Sequence, residues 1–213
     1  MTDSNYTHMV IVLDRSGSMK SIREETEQAM NDLVKEQQAL PGKATLSYYT
    51  FNAFVHPEFV QKDLSAVEHL SLVPSGMTAL HDAIGQAIDS EGSKLEGLPE
   101  DERPGKVILV TITDGFENSS REYTADAVKA LVEHQTKEYG WEFVFLGANQ
   151  DAVLTADQYG ISRDASLTYA ATGAGVATAS GLVSNYITTT RSGGQAVFTD
   201  SDRQAAVDSS NLI

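Results

Sequence analysis

Three short runs limit what this chain can fold into more than any other feature: residues 10–13, 107–112 and 143–146 are nearly unbroken Val, Ile, Leu and Phe. A strand with one wet face alternates apolar and polar side chains, so unbroken apolar strands point to a parallel sheet covered on both faces. Parallel strands need crossovers, and helical stripes lie between the runs. Ile22, Thr26, Ala29, Met30, Leu33, Val34 and Gln37 mark one, opened by a capping box of Ser21 and Glu24. Leu80, Ala83, Ile84, Ala87 and Ile88 mark a second. A third begins near Thr124, buries Val128, Leu131 and Val132, and stops at Gly140, where a left-handed residue ends a helix well.

Residues 44–60 read differently, as two strands of mixed polarity around a turn at Asn52 and Ala53. Pro57 cannot donate to a ladder, which places this antiparallel hairpin at a sheet edge. Residues 91–105 are expected as a polar loop, 152–159 as a short helix, Ser166–Tyr169 as a sixth strand and 176–187 as a last helix. The pattern implies an α/β fold: a doubly wound, mostly parallel six-stranded sheet with one antiparallel edge strand and helices on both faces. One domain over residues 1–192 is expected, followed by a flexible tail over 193–213.

Composition removes several classes of function. Thirty acidic residues against fifteen basic ones give a net charge of −15, the wrong sign for neutralising phosphates, so nucleic acid is not an expected partner. Cysteine is absent, which removes disulfides, zinc–thiolate sites and thiol nucleophiles and fits a reducing compartment. No apolar run approaches the ~20 residues that span a bilayer, and residues 1–8 lack the basic start and apolar core of a signal peptide. The expectation is a cytoplasmic chain with no membrane attachment.

In a doubly wound sheet the ligand site lies beyond the carboxyl ends of the strands, where strand order reverses. Polar residues gather at those ends. Asp14 to Ser18 follows the first strand, "VPSGMTALHDAI" carries Thr78 to a helix, and "TITDGFENSS" leaves the 107–112 strand at Asp114. In an extended stretch Asp14, Ser16 and Ser18 face one way, with Gly17 permitting a tight bend. Hydroxyl and carboxylate oxygens suit a hard cation such as Mg2+ or Mn2+. Each residue also has a plainer use: Asp14, Ser18 and Thr78 as helix caps, Asp114–Gly115 as a turn. Caps alone do not explain three loops meeting. Arg15 is expected to face solvent or a nearby carboxylate, Asp82 and Glu117 lie near the rim, and the five histidines show no metal spacing.

The set Asp-x-Ser-Gly-Ser at 14–18, Thr78 after a Ser-Gly turn, and Asp114 in Thr-Asp-Gly resembles the von Willebrand factor type A domain and its metal-ion-dependent adhesion site, on a Rossmann-like fold. The resemblance implies that Ser16 and Ser18 ligate the metal directly, Thr78 directly or through water, and that Asp14 and Asp114 hold metal-bound waters and neutralise charge. It implies an open coordination position that accepts an Asp or Glu carboxylate from a partner. The expected function is therefore a non-enzymatic, metal-dependent protein–protein interaction module or adaptor. The alternative is an assembly subunit that self-associates, with Asp200, Asp202, Asp208 or the carboxylate of Ile213 offered from the tail. Mg2+-dependent phosphoryl transfer, as in haloacid-dehalogenase-like hydrolases, would need a second acid where this chain has Ser16, and no phosphate-cradling or nucleophile-elbow motif is present.

Overall fold

The computed structural model describes residues 1–148 and 150–208. Six strands form one sheet: β1 (Asp3–Asp14), β2 (Lys43–Phe51), β3 (Val55–Asp63), β4 (Pro104–Thr113), β5 (Glu142–Ala148) and β6 (Ser166–Tyr169). Their spatial order is β3-β2-β1-β4-β5-β6, and β2 with β3 is the antiparallel pair. The unbroken apolar runs occupy β1, β4 and β5, three of the four strands with neighbours on both sides, and Val10, Val12, Ile108, Leu109, Val144 and Phe145 are fully buried. Pro57 falls in edge strand β3, where its missing N–H costs no ladder bond.

Among the described residues six α-helices cover the sheet: α1 (Arg23–Gln38), α2 (Leu80–Glu96), α3 (Ala125–Tyr139), α4 (Ala152–Gln158), α5 (Gly173–Arg191) and α6 (Asp200–Asp208). Helices α1 and α5 pack on each other, joined by Gln37 Nε2 donating to Ser184 O at 3.2 Å and Ser180 Oγ donating to Ala29 O at 3.0 Å. Helix α3 packs against α2 and α4 in a separate layer. Thr124 caps α3 by accepting from Ala127 N, and Gly140 ends it at φ +66°, as the sequence pattern implies. Among the described residues no helix is long and apolar enough to cross a membrane.

Three local expectations are corrected. The capping box of Ser21 and Glu24 does not form; a 3-10 turn over Gly17–Ile22 precedes α1, and the Ser21 hydroxyl donates to Ser18 O instead. Residues 91–105 are not a loop from the start, because α2 runs on to Glu96. Glu91, which looked solvated, is fully buried: His8 Nε2 lies 3.1 Å from its Oε2 and Tyr49 donates to its Oε1 at 2.6 Å. The loose tail is corrected for residues up to 208, where α6 lies against β6 and α5. Two of its apolar residues are well placed: Phe198 and Ala206 are buried, and Ala170 N donates to Ala206 O at 3.1 Å. Ile213 and the rest of 209–213 lie outside the described residues.

Strand order reverses at β1, which has β2 on one side and β4 on the other. The crevice beyond the carboxyl ends of β1 and β4 is therefore where a ligand site belongs.

Candidate metal centre

Asp14 is the last residue of β1 and has no exposed surface. Its carboxylate is fixed from two sides: Ser16 N donates to Oδ1 at 2.6 Å, and the Thr113 hydroxyl at the end of β4 donates to Oδ2 at 2.6 Å. The chain then bends so that Ser16 Oγ and Ser18 Oγ lie 3.0 Å apart, and Ser18 donates to Asp114 Oδ1 at 2.6 Å. Thr78 Oγ1 and Asp14 Oδ2 both lie within 3.6 Å of the point a Cβ on Gly115 would occupy. All five residues expected at the site, Asp14, Ser16, Ser18, Thr78 and Asp114, are thus brought together from three loops.

Backbone bonds stitch those loops. Gly17 N donates to Gly76 O at 3.1 Å, Ser75 N to Arg15 O at 2.7 Å, and Ala79 N to Asn52 O at 2.7 Å. Asn118 grips Thr78 twice, accepting from its N–H at 2.9 Å and donating its own N–H to the Thr78 carbonyl at 3.0 Å. The loop after β4 is held on the start of α2 by two carboxylates. Glu117 accepts from His81 N, Ser119 N and Ser120 N, while Asp82 accepts from Arg121 N, Glu122 N and Tyr123 N. Asp82 and Glu117 are therefore loop clamps. Thr78 is not a helix cap: α2 has Ala79 in that position with no side-chain cap bond. Among the described residues no hydrogen bond engages Thr78 Oγ1, although the residue is 3% exposed.

The electrostatics are one-sided. Burial pushes the Asp14 carboxyl up to about 6, opposed by the hydrogen bonds from Thr113 and Ser16 and reinforced by the neighbouring Asp114. Burial likewise raises Asp114, against the Ser18 hydrogen bond. Among the described residues no Lys, Arg or His pairs with either carboxylate. Arg15, between Asp14 and Ser16, turns away to lie 3.9 Å from Glu58, and among the described residues its buried Nε has no partner.

This donor set fits a hard divalent cation. It consists of three hydroxyls and two carboxylates, all oxygen, and a buried carboxylate without a counter-charge is the arrangement a cation relieves. Among the described residues no three His, Asp or Glu side chains are grouped to hold a metal, so the hydroxyls are integral to any such site. A cleft of about 530 Å3 lined by Arg103, His134 and Trp141 includes Pro104 and Val107 from the amino end of β4, opposite the end that carries this centre. Thr113 and Asn118 were not singled out from sequence. Thr113 had a signal, a polar residue closing an apolar strand, whereas Asn118 sits among other turn-forming residues with nothing to distinguish it.

The chain resembles solved structures of similar topology. Proximal thread matrix protein 1 from the mussel byssus, crystal form 2, matches with a TM-score of 0.59 and 14% identity over 84% of this chain and 45% of that one. The same mussel protein with a zinc-occupied metal-ion-dependent adhesion motif matches with a TM-score of 0.51 and 20% identity, over 76% and 41%. A von Willebrand factor type A structure from Catenulispora acidiphila gives 0.54 and 15%, over 84% and 42%. The chain thus spans less than half the length of each of these. No curated protein matches it. The family model for the von Willebrand factor type A domain matches residues 8–196, and the chain belongs to that family.

Proposed function

We propose that Asp14, Ser16, Ser18, Thr78 and Asp114 hold a divalent cation, Mg2+ or Mn2+, and that the chain uses this centre to capture an Asp or Glu carboxylate of another protein. The observation that carries this reading is the fully buried Asp14 beside Asp114, with no cationic side chain paired to either among the described residues, and with neutral hydroxyls as the other donors. When bound among such ligands, a hard cation offers an electron-poor position to an outside carboxylate. The chain's own residues prepare that position. Thr113 and the Ser16 N–H orient Asp14, Asn118 sets the height of Thr78, and the clamps Asp82 and Glu117 fix the loop that delivers Asp114.

Catalysis is not part of this reading, because position 16 offers a hydroxyl where a phosphoryl-transfer site would need an acid. Capture through the chain's own tail is not favoured either: Asp200 pairs with Arg163 at 2.6 Å, Asp202 accepts from Thr199 N at 2.7 Å, and Asp208 accepts from Gln204 at 2.6 Å.

Pull-down of acidic peptides with Mn2+ and with EDTA tests the reading, using the parent and Ser16→Asp. The added carboxylate should tighten cation binding and weaken peptide capture by neutralising the ion. Peptide capture that survives EDTA, or that is equal or stronger in Ser16→Asp, counts against it.

A further inference from the structure

Nine large apolar side chains stand well exposed on the described residues, and five of them stand at the end of the sheet that carries the metal centre: Phe54, Phe116 and Leu154 on segments leaving the carboxyl ends of β2, β4 and β5, and Val73 and Met77 on either side of Ser75 and Gly76, which bond to the backbone of Arg15 and Gly17. Phe54 is in the β2–β3 turn, Val73 and Met77 are in the loop before α2, Phe116 follows β4, and Leu154 is in the first turn of α4 after β5. Single exposed hydrophobics are ordinary on a protein surface; a set gathered at one end around one centre marks an interaction site.

The backbone holds three of these residues where they are. Met77 lies between Gly76, whose carbonyl accepts from Gly17 N, and Thr78, which Asn118 grips. Phe116 lies between Gly115, which borders Thr78 and Asp14, and the clamp Glu117. Phe54 O accepts from Asn52 N, and Asn52 O accepts from Ala79 N, so this turn is tied to the same loop. Pinned backbone fixes where Phe54, Met77 and Phe116 leave the chain, so this part of the rim is positioned before any partner arrives.

We infer that this apolar rim and the metal centre form one docking surface, whose partner is a protein segment with a single Asp or Glu flanked by large apolar side chains. The inference rests on the metal–carboxylate reading above and adds what lies beside the carboxylate. Charge selects against the alternative of an acidic tract. At −15 the chain repels a polyanionic segment at long range, and the rim offers it apolar surface where its further charges would lose water unpaired.

The test uses three synthetic peptides of equal length with Mn2+: Glu flanked by leucines, Glu flanked by serines, and Gln flanked by leucines. The leucine-flanked Glu peptide should bind at least tenfold more tightly than the serine-flanked one, and Phe54→Ser with Phe116→Ser should abolish that preference while Mn2+ affinity stays within about twofold. Equal affinity of the two Glu peptides, or a preference that survives the double substitution, overturns the inference while leaving the metal–carboxylate reading intact. Equal binding of the Gln peptide, unaffected by EDTA, instead refutes the metal–carboxylate reading and leaves only an apolar surface. Binding to phosphatidylcholine vesicles that ignores EDTA and is lost in the double variant reassigns the rim to lipid and also overturns the inference.

Discussion

At the scale of single residues, the site is built by side chains that orient other side chains. Thr113 donates to Asp14 Oδ2 and its hydroxyl also accepts from Gly115 N at 3.1 Å, so it ties the end of β1 to the loop carrying Asp114. Thr113→Val keeps the shape and removes the donor; Mn2+ affinity should fall about 10- to 100-fold, as when a residue that orients a metal ligand is lost. Calorimetry with a serine variant as rescue separates this from a packing defect. Asn118→Ala should loosen Thr78 and weaken Mn2+ binding in the same assay, with a smaller cost in stability of about 1–2 kcal/mol for the Thr78 N–H left without its acceptor. Of the five residues expected at the centre, Asp14 and Asp114 were legible in sequence because they stand at the ends of central apolar strands, Ser16 and Ser18 because they follow Asp14 at alternate positions, and Thr78 because it stands at the entrance to a helix. Thr113 and Asn118 were not, because their partners lie about 99 and 40 positions away in the chain, and no local pattern records such a pairing.

Among the elements, the informative failure is α2. Glu91 and the polar residues around it imitate a loop, yet the helix continues and buries Glu91 against β1 and β2, where His8 and Tyr49 meet it. A charged residue reads as solvated from sequence alone, and only the pairing partner, 83 positions earlier in His8, makes its burial tolerable. Burial opposes ionisation of Glu91, but the hydrogen bond and charge of His8 and the bonds from Tyr49 and Ser47 outweigh it and hold the carboxyl below its ordinary value of 4.5. A depressed carboxyl contributes stability that is fully present above 4.5 and lost as pH falls through its lowered folded value. Glu91→Ala should therefore destabilise the fold by about 3–5 kcal/mol at neutral pH, with the difference from the parent shrinking below pH 4.5, as measured by urea unfolding across pH. The clamped loop offers a second test. Gly85 on α2 leaves the space the Tyr123 ring occupies, where a Cβ would overlap it. Gly85→Ala should lift the loop that Asp82 and Glu117 hold, speeding proteolysis near residues 114–123 and lowering Mn2+ affinity, with the sheet intact by circular dichroism.

For the whole molecule, strand order does most of the positioning. Reversal at β1 opens a crevice between β1 and β4; two of the loops that supply oxygens leave the carboxyl ends of those strands, and the third runs up from β3 to bring Thr78 to the start of α2. The core, the parallel sheet and the antiparallel edge were readable because burial on both faces writes itself into unbroken apolar runs. The end of the chain was not, since α6 contributes only Ala206 to the core and is held by β6 and α5 rather than by its own pattern. Truncation after residue 199 should expose the Phe198–Tyr186 contact and lower the melting temperature without changing Mn2+ affinity. The most direct test of the central claim is a calorimetric Mn2+ titration of the parent against Asp14→Ala and Asp114→Ala. One ion per chain, bound by the parent and lost in both variants with the fold preserved, is the predicted result; Mn2+ binding of undiminished affinity in both variants would contradict it.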